Sequence, residues 1–222
     1  MKLLFKTTFI LVAIFATTFL IIKSSGILTI EDIEQGFEQL KNAPAYLIGG
    51  LVVLLLFADL FIAIPTMTVI ILSGFFLGFT NGLLFSLIGS ALAASIGYIF
   101  SWLWGDSVLK KVEKDKLKRQ QMYDVFNRHG MLVLIMSRAM PILPEVSVCL
   151  AGICRMPFTR FLLGWSLGTI PYLIIVSYAG SISSLDNPMP AIFTAIAVTG
   201  TLWLCWMWFL RNQGRPQQSD NP

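Results

Sequence analysis

The chain has 222 residues, 56% hydrophobic and only 13% charged, with mean hydropathy +0.76 and net charge +4. Soluble domains average about a quarter charged residues, so this composition excludes an ordinary soluble fold and describes an all-α polytopic membrane protein. The basic residues flank apolar stretches and are not interleaved with aromatics; this excludes nucleic acid as a partner and assigns them to topology and anionic headgroups.

Residues 1–22 run from Met-Lys-Leu-Leu-Phe-Lys into an apolar stretch with no Ala-x-Ala site after it. The spacing predicts an uncleaved N-terminal transmembrane helix, with Lys6 snorkelling to the interface. In 23–44, Glu31, Asp32, Glu34 and Glu38 accompany Ile30, Ile33, Phe37 and Leu40. That is the pattern of a capped amphipathic helix on the outer surface.

Residues 45–104 contain a single charge, Asp59, whereas 105–128 carry seven basic and four acidic residues. The positive-inside rule makes 105–128 a cytoplasmic amphipathic loop. Val108, Leu109, Val112, Leu117, Met122, Val125 and Phe126 recur at roughly helical spacing, so it is expected to lie on the inner surface as an interfacial helix. With the N-terminus inside, 45–104 must cross a net odd number of times. Asp59 and Pro65 interrupt 45–80, and Gly74 and Gly78 break it again. Three full helices satisfy the odd count, as does a re-entrant hairpin over 45–80 followed by a crossing helix over 82–104, and the interruptions favour the hairpin. Along that helix Gly82, Gly89 and Gly97 lie among serines and alanines at four-residue spacing, which lets helix backbones approach closely in lipid.

The stretch 131–154 repeats the problem, with Arg138, Pro141, Pro144, Glu145 and Gly152 inside an apolar background. Arg155 and Arg160 stay on the basic inner side only if 131–154 enters and returns, which predicts a second re-entrant hairpin. Residues 158–180 then cross, with Gly164 and Gly168 as a packing face and Pro171 as a kink. A last span over 191–210 returns the chain to the cytoplasmic side, and 212–222 reads as a disordered tail. Two opposed hairpins, each followed by a crossing helix, make an inverted repeat, an architecture of secondary transporters.

Ionisable groups at membrane depth mark pathways and sites. Arg138 presents a planar fork suited to phosphate, while Asp59 and Glu145 are candidates to carry a coupled proton. The competing assignment is an internal staple in which Arg138 pairs with Glu145 or Asp59. Ser137 and Ser147 lack a base within sequence reach, and His129 stands alone. Cys149, Cys154 and Cys205 form no CxxC pair. No catalytic residue, metal site or cofactor is therefore expected, and the chain reads as a transporter, not an enzyme. The leading function is a flippase or scramblase for a phosphate-bearing lipid. A small-solute or ion transporter using the same cavity and a non-transporting membrane assembly factor are the alternatives; homo-oligomerisation is compatible with each.

The run Ser137-Arg138-Ala-Met-Pro141-Ile-Leu-Pro144-Glu145, then Ala151-Gly152, then Phe158-x-x-Phe161-x-x-Gly164-x-x-x-Gly168-x-x-Pro171, resembles the DedA / VTT-domain superfamily. It is most similar to the branch called SNARE-associated Golgi proteins. Pro65, Gly74-Phe-Phe-Leu-Gly78 and the helix from Gly82 to Gly97 extend the resemblance over roughly 45–180. The resemblance implies two facing re-entrant loops and lipid flippase or scramblase activity, with polyprenyl-phosphate carriers or phospholipids such as phosphatidylethanolamine as substrates. It also implies a bacterial cytoplasmic membrane. An acidic residue in the first loop and an arginine in the second recur as functional positions, and by position these are Asp59 and Arg138. Where members often carry a second arginine, this chain has Pro144-Glu145.

Overall fold

The computed structural model describes residues 2–25, 30–40, 43–61, 64–139 and 143–183, and seven further positions between 189 and 201. Seven α-helices and one 3-10 turn account for nearly all of them, and no strand occurs among the described residues. The helices are α1 (Lys2–Ser25), α2 (Ile30–Gln39), α3 (Ala45–Ala58), α4 (Thr66–Val112), α5 (Lys116–Met136), α6 (Leu143–Ile153) and α7 (Phe158–Ser181), with the 3-10 turn at Ser137–Ala139. Two of them contain stretches long and apolar enough to cross a membrane, Thr66–Ser107 and Phe158–Ser181. Pro141, Cys205, most of the expected span at 191–210 and the tail at 212–222 lie outside the described residues.

α4 is two arms, not one rod. At Gly78 the backbone takes φ 73° and ψ 172°, a region essentially closed to side-chain-bearing residues. The chain doubles back there: the Ser73 hydroxyl donates to the Gly82 carbonyl at 2.8 Å and lies 3.0 Å from the Ser86 hydroxyl. Gly74, expected to break the chain as well, is helical. Its missing side chain instead admits α7, since a β-carbon there would stand 3.1 Å from the Ser181 amide nitrogen.

The other glycines of the small-residue faces are also points of close approach. A β-carbon on Gly89 would lie 3.0 Å from Val53 Cα in α3, and one on Gly97 would lie 3.3 Å from Val148 in α6. On Gly164 and Gly168 it would meet Leu134 and Ile135 of α5 at 3.3 and 3.0 Å, and on Gly82 the first arm of α4 at Gly74 Cα, 2.9 Å. The second arm of α4 thus carries α3 and α6, while α7 carries α5 and the first arm of α4. Without a hydrophobic drive between helices in lipid, this close van der Waals contact is what holds such elements together.

The basic region, expected at the cytoplasmic surface as an interfacial helix, is helical almost throughout. α4 continues to Val112, and only three residues separate it from α5. Asp115 caps α5 by accepting the Leu117 amide at 2.9 Å. Arg119 ties the turn by donating to the Glu113 and Lys114 carbonyls, each at 2.9 Å. Met122, Phe126, Gly130 and Leu134 form the buried stripe of α5. The Tyr123 hydroxyl donates to Asp106 at 3.1 Å. Burial, and then that carboxylate, push the phenol up to about 12, so it remains a donor at physiological pH.

Two apolar clusters result. One gathers Leu109, Met122, Phe126, Met156 and Phe161, with Tyr98 stacked on Phe161 at 4.6 Å. The other joins Val52, Val69, Ile70, Leu173 and Val176 to the inner face of α2, whose Phe37 stacks on Phe76 at 5.5 Å.

Candidate functional site

Helices α3 and α6 are short because polar or helix-breaking residues stop them where they meet. α3 ends at Ala58, and Asp59 closes the break by accepting the Ile64 amide at 2.8 Å through Oδ1. On the other side the chain leaves α5 through the turn Ser137–Ala139, and α6 restarts at Leu143 with Pro144 and Glu145 in its first turn. A carboxylate in the first turn of a helix is favoured by the helix dipole.

The two breaks and the helices beside them enclose one cavity. Asp59 and Thr66 line it from the first half, Ser90 from the second arm of α4, and Arg138, Glu145 and Trp165 from the second half. Its free volume is about 50 Å³, measured to the centres of water-sized spheres. A water occupies roughly 10–15 Å³ on that measure, so the cavity as it stands holds a few waters.

Arg138 is held by neutral groups. Its Nε and Nη2 donate to the Thr169 hydroxyl at 3.4 and 3.3 Å, and its guanidinium lies 5.2 Å from the centre of the Tyr172 ring. Among the described residues no ion pair within 4.0 Å joins it to Asp59 or Glu145. It remains within electrostatic reach of both. Each charge is therefore braced separately: Asp59 by a backbone amide, Glu145 by its place at the start of α6, and Arg138 by a hydroxyl and an aromatic face. Such a set can bind a phosphate at the guanidinium and pass a proton between water and a carboxylate without first breaking a salt bridge.

Of the expected site residues, Asp59, Arg138, Glu145 and Pro144 meet at the cavity. Pro65 sits at the start of α4 as its N-terminal cap residue. Gly74 packs on α7, Gly78 forms the turn, and Gly152 packs on the second arm of α4. Pro141 falls outside the described residues. Thr169 and Tyr172, which hold the Arg138 side chain, are positions that sequence reasoning misses. Hydroxyls in apolar helices ordinarily bond to the carbonyl one turn back, as Thr17 does to Ala13 at 2.7 Å. Nothing local distinguishes Thr169 from these until α7 is placed against Arg138.

Three comparisons bear on these residues. A model of the VTT domain matches residues 64–182, which includes Arg138 and Glu145 and begins just after Asp59. Undecaprenyl phosphate transporter A of Bacillus subtilis (strain 168) is 29% identical over 108 residues, covering 47% of this chain and 54% of that protein. The chain thus aligns with about half the length of this curated relative. No solved structure matches. Since the family model spans more than half of the chain, including the second arm of α4, the Arg138 turn, α6 and α7, the chain belongs to the VTT-domain (DedA) family.

Proposed function

We propose that this chain is a membrane lipid translocase that passes the phosphate headgroup of a polyprenyl-phosphate or phospholipid along the Asp59–Arg138–Glu145 cavity. One observation carries the reading: three ionisable side chains from separate halves of the chain line one cavity, and the arginine among them has no carboxylate partner among the described residues. An arginine braced by neutral groups keeps its charge for an incoming anion. The Bacillus subtilis relative, a transporter of undecaprenyl phosphate by name, supports a lipid phosphate as cargo.

The topology proposed with it has both breaks dipping into the membrane from opposite sides. α3 has 14 residues and α6 has 11, lengths of ~21 and ~16 Å against a hydrocarbon core of ~30 Å. Neither spans by itself, and both point charged tips at the cavity. The pairing of α3 and α6 with α4, mirrored by α5 and the first arm of α4 with α7, supports reading the two halves as an inverted repeat. On this reading residues 1–22 and 191–210 are flanking spans, 45–180 is the transport core, and both termini are cytoplasmic. Single cysteines in a background lacking Cys149, Cys154 and Cys205 provide the check. Positions 45 and 80 should label from one side, and 129 and 155 from the other; label on opposite sides within either pair removes the dips.

Transport itself is read in proteoliposomes, by following a polyprenyl phosphate, phosphatidylethanolamine and small anions in parallel. The cavity's small volume favours one second reading, a pathway for small solutes, and flux of anions without lipid movement would establish it. Asp59 separates coupling from architecture. The amide oxygen of Asp59→Asn still accepts the Ile64 amide, so this variant should fold and translocate with a rate that no longer changes with pH. Asp59→Ala also loses that bond, at a cost of about 1 kcal/mol. An Asp59→Asn pH profile matching the wild type would remove the proton role. Neutral substitution of all three charges without loss of activity in cells would favour an assembly factor.

A further inference from the structure

α6 ends in a turn of the Schellman type. The Arg155 amide donates to the Gly152 carbonyl at 3.0 Å, and the Met156 amide donates to the Ala151 carbonyl at 3.0 Å. Helices closed in this way usually place glycine at the left-handed position. Here that residue is Arg155, with φ 52°, the one non-glycine residue at positive φ among those described. The doubling-back of α4 uses Gly78 instead. A β-carbon in the left-handed region carries a steric cost that glycine avoids.

The turn does not need an arginine for its own hydrogen bonds. Besides the two amides, the Cys154 carbonyl accepts from Asn127 Nδ2 at 3.5 Å, and the Met156 carbonyl accepts from the Tyr98 hydroxyl. The Arg155 side chain is exposed, and its guanidinium stands 5.4 Å from the centre of the Trp102 ring. It makes no hydrogen bond or ion pair among the described residues. Asp106, within its electrostatic reach, is already bonded to Lys110 at 2.7 Å and to Tyr123 at 3.1 Å. A guanidinium over a ring keeps N–H donors available for a second partner. Trp102 is itself exposed, among exposed Phe100, Leu103 and Trp104. Such aromatic belts sit at headgroup level in membranes.

We propose that Arg155, held over the Trp102 ring, binds the phosphate of an anionic membrane lipid at the end of α6 remote from the cavity. Glu145 and Arg155 are ten positions apart along α6, about 15 Å at helical rise, so this site is separate from the one at Arg138. The competing account makes Arg155 a cation that offsets the C-terminal dipole of α6 and braces Trp102, with no ligand. The two accounts predict opposite effects of glycine. If the side chain serves only the fold, losing it weakens the protein; if it serves a ligand, glycine relieves the turn and weakens lipid binding.

The test uses the full chain in detergent, melted with phosphatidylglycerol, phosphatidylcholine or inorganic phosphate added. The wild type should gain more from phosphatidylglycerol than from either of the others. Arg155→Gly should melt about 2–4 °C higher without lipid and lose most of the extra gain from phosphatidylglycerol. Arg155→Asn, whose short side chain tolerates the left-handed region, should lose the same gain. The assay reads binding alone, so failure of the transport reading leaves it standing. An undiminished gain in both variants overturns the site, as does a lower melting temperature of lipid-free Arg155→Gly. An equal gain from inorganic phosphate overturns the assignment to a membrane lipid.

Discussion

Arg138→Ala should reduce lipid translocation by about 100-fold or more while leaving the protein nearly as stable as the wild type. The kinetic part follows from losing a fork that can make two charge-assisted hydrogen bonds to phosphate, each of roughly 1.5–3 kcal/mol. The stability part follows from the company Arg138 keeps. Truncating one partner of a buried ion pair strands the other charge and costs about 3–5 kcal/mol. Arg138 has no such partner among the described residues; its bonds go to Thr169 at 3.3 and 3.4 Å, and its face to Tyr172. Removing it leaves one buried hydroxyl unpaired, at about 1 kcal/mol. Arg138→Lys keeps the charge without the fork and should recover only part of the rate. Thr169 allows a subtler check. Thr169→Val removes the hydroxyl at nearly constant volume and should slow translocation about 5- to 10-fold by freeing the guanidinium, an effect of ~1–1.4 kcal/mol. Thr169→Ser retains the donor's partner and should keep most of the rate. Proteoliposome flux and thermal melting on the same samples decide the matter. Intact flux with a large drop in melting temperature in Arg138→Ala would make the residue a staple.

The second large effect is on the fold. Gly152→Val should abolish accumulation of folded protein, with destabilisation above about 3 kcal/mol, because overpacking against backbone cannot be relieved by a rotamer change. A β-carbon at this position would stand 2.7 Å from Ser101 Cβ and 2.9 Å from the Trp102 amide nitrogen. Helices α6 and α4 would have to separate, pulling Pro144, Glu145 and Val148 away from the cavity wall. Gly50 provides the control. It is exposed on α3, and a β-carbon added there would meet no atom within 4 Å. Gly50→Ala should be neutral or stabilising by up to about 1 kcal/mol, since alanine is the better helix former. Size-exclusion profiles and melting curves of the two variants compare them directly, and similar behaviour would show that close approach of α6 to α4 is not needed.

Much of the helical layout is legible in the sequence, for local reasons. The helix expected over 158–180 is α7, Phe158–Ser181, because Pro157 and the polar sequence after Ser181 bound a predominantly apolar run. The inward side of α2 is set by Ile33 and Phe37, which are buried as their spacing predicts. The breaks near Asp59 and after Arg138 are marked by residues that a continuous apolar helix does not tolerate. Other features depend on contacts that no local pattern encodes. Gly74 and Gly78 look alike in sequence, yet one is a helical contact with α7 and the other a turn; the partner at Ser177–Ser181 decides which. The basic stretch 105–128 reads as an interfacial helix from the spacing of its apolar residues, which does not say what that helix packs against. Tyr123, Met122 and Phe126 dock it against Asp106 and the core.

The charged site divides along the same line. Composition and the positions of Asp59, Arg138 and Glu145 are enough to point to a candidate polar site within a membrane chain, because a charge at membrane depth is costly. Local spacing does not encode whether those charges neutralise one another or stand apart, since pairing depends on side-chain directions set by α7. Tertiary packing places Thr169 and Tyr172 beneath the guanidinium and leaves the two carboxylates on other walls of the cavity. Helices, breaks, and charges at the breaks are thus properties of the amino-acid order alone. That the arginine is braced by neutral groups follows only from the packing of α7 against the Arg138 turn, because a hydrogen bond across 31 residues has no signature in local spacing.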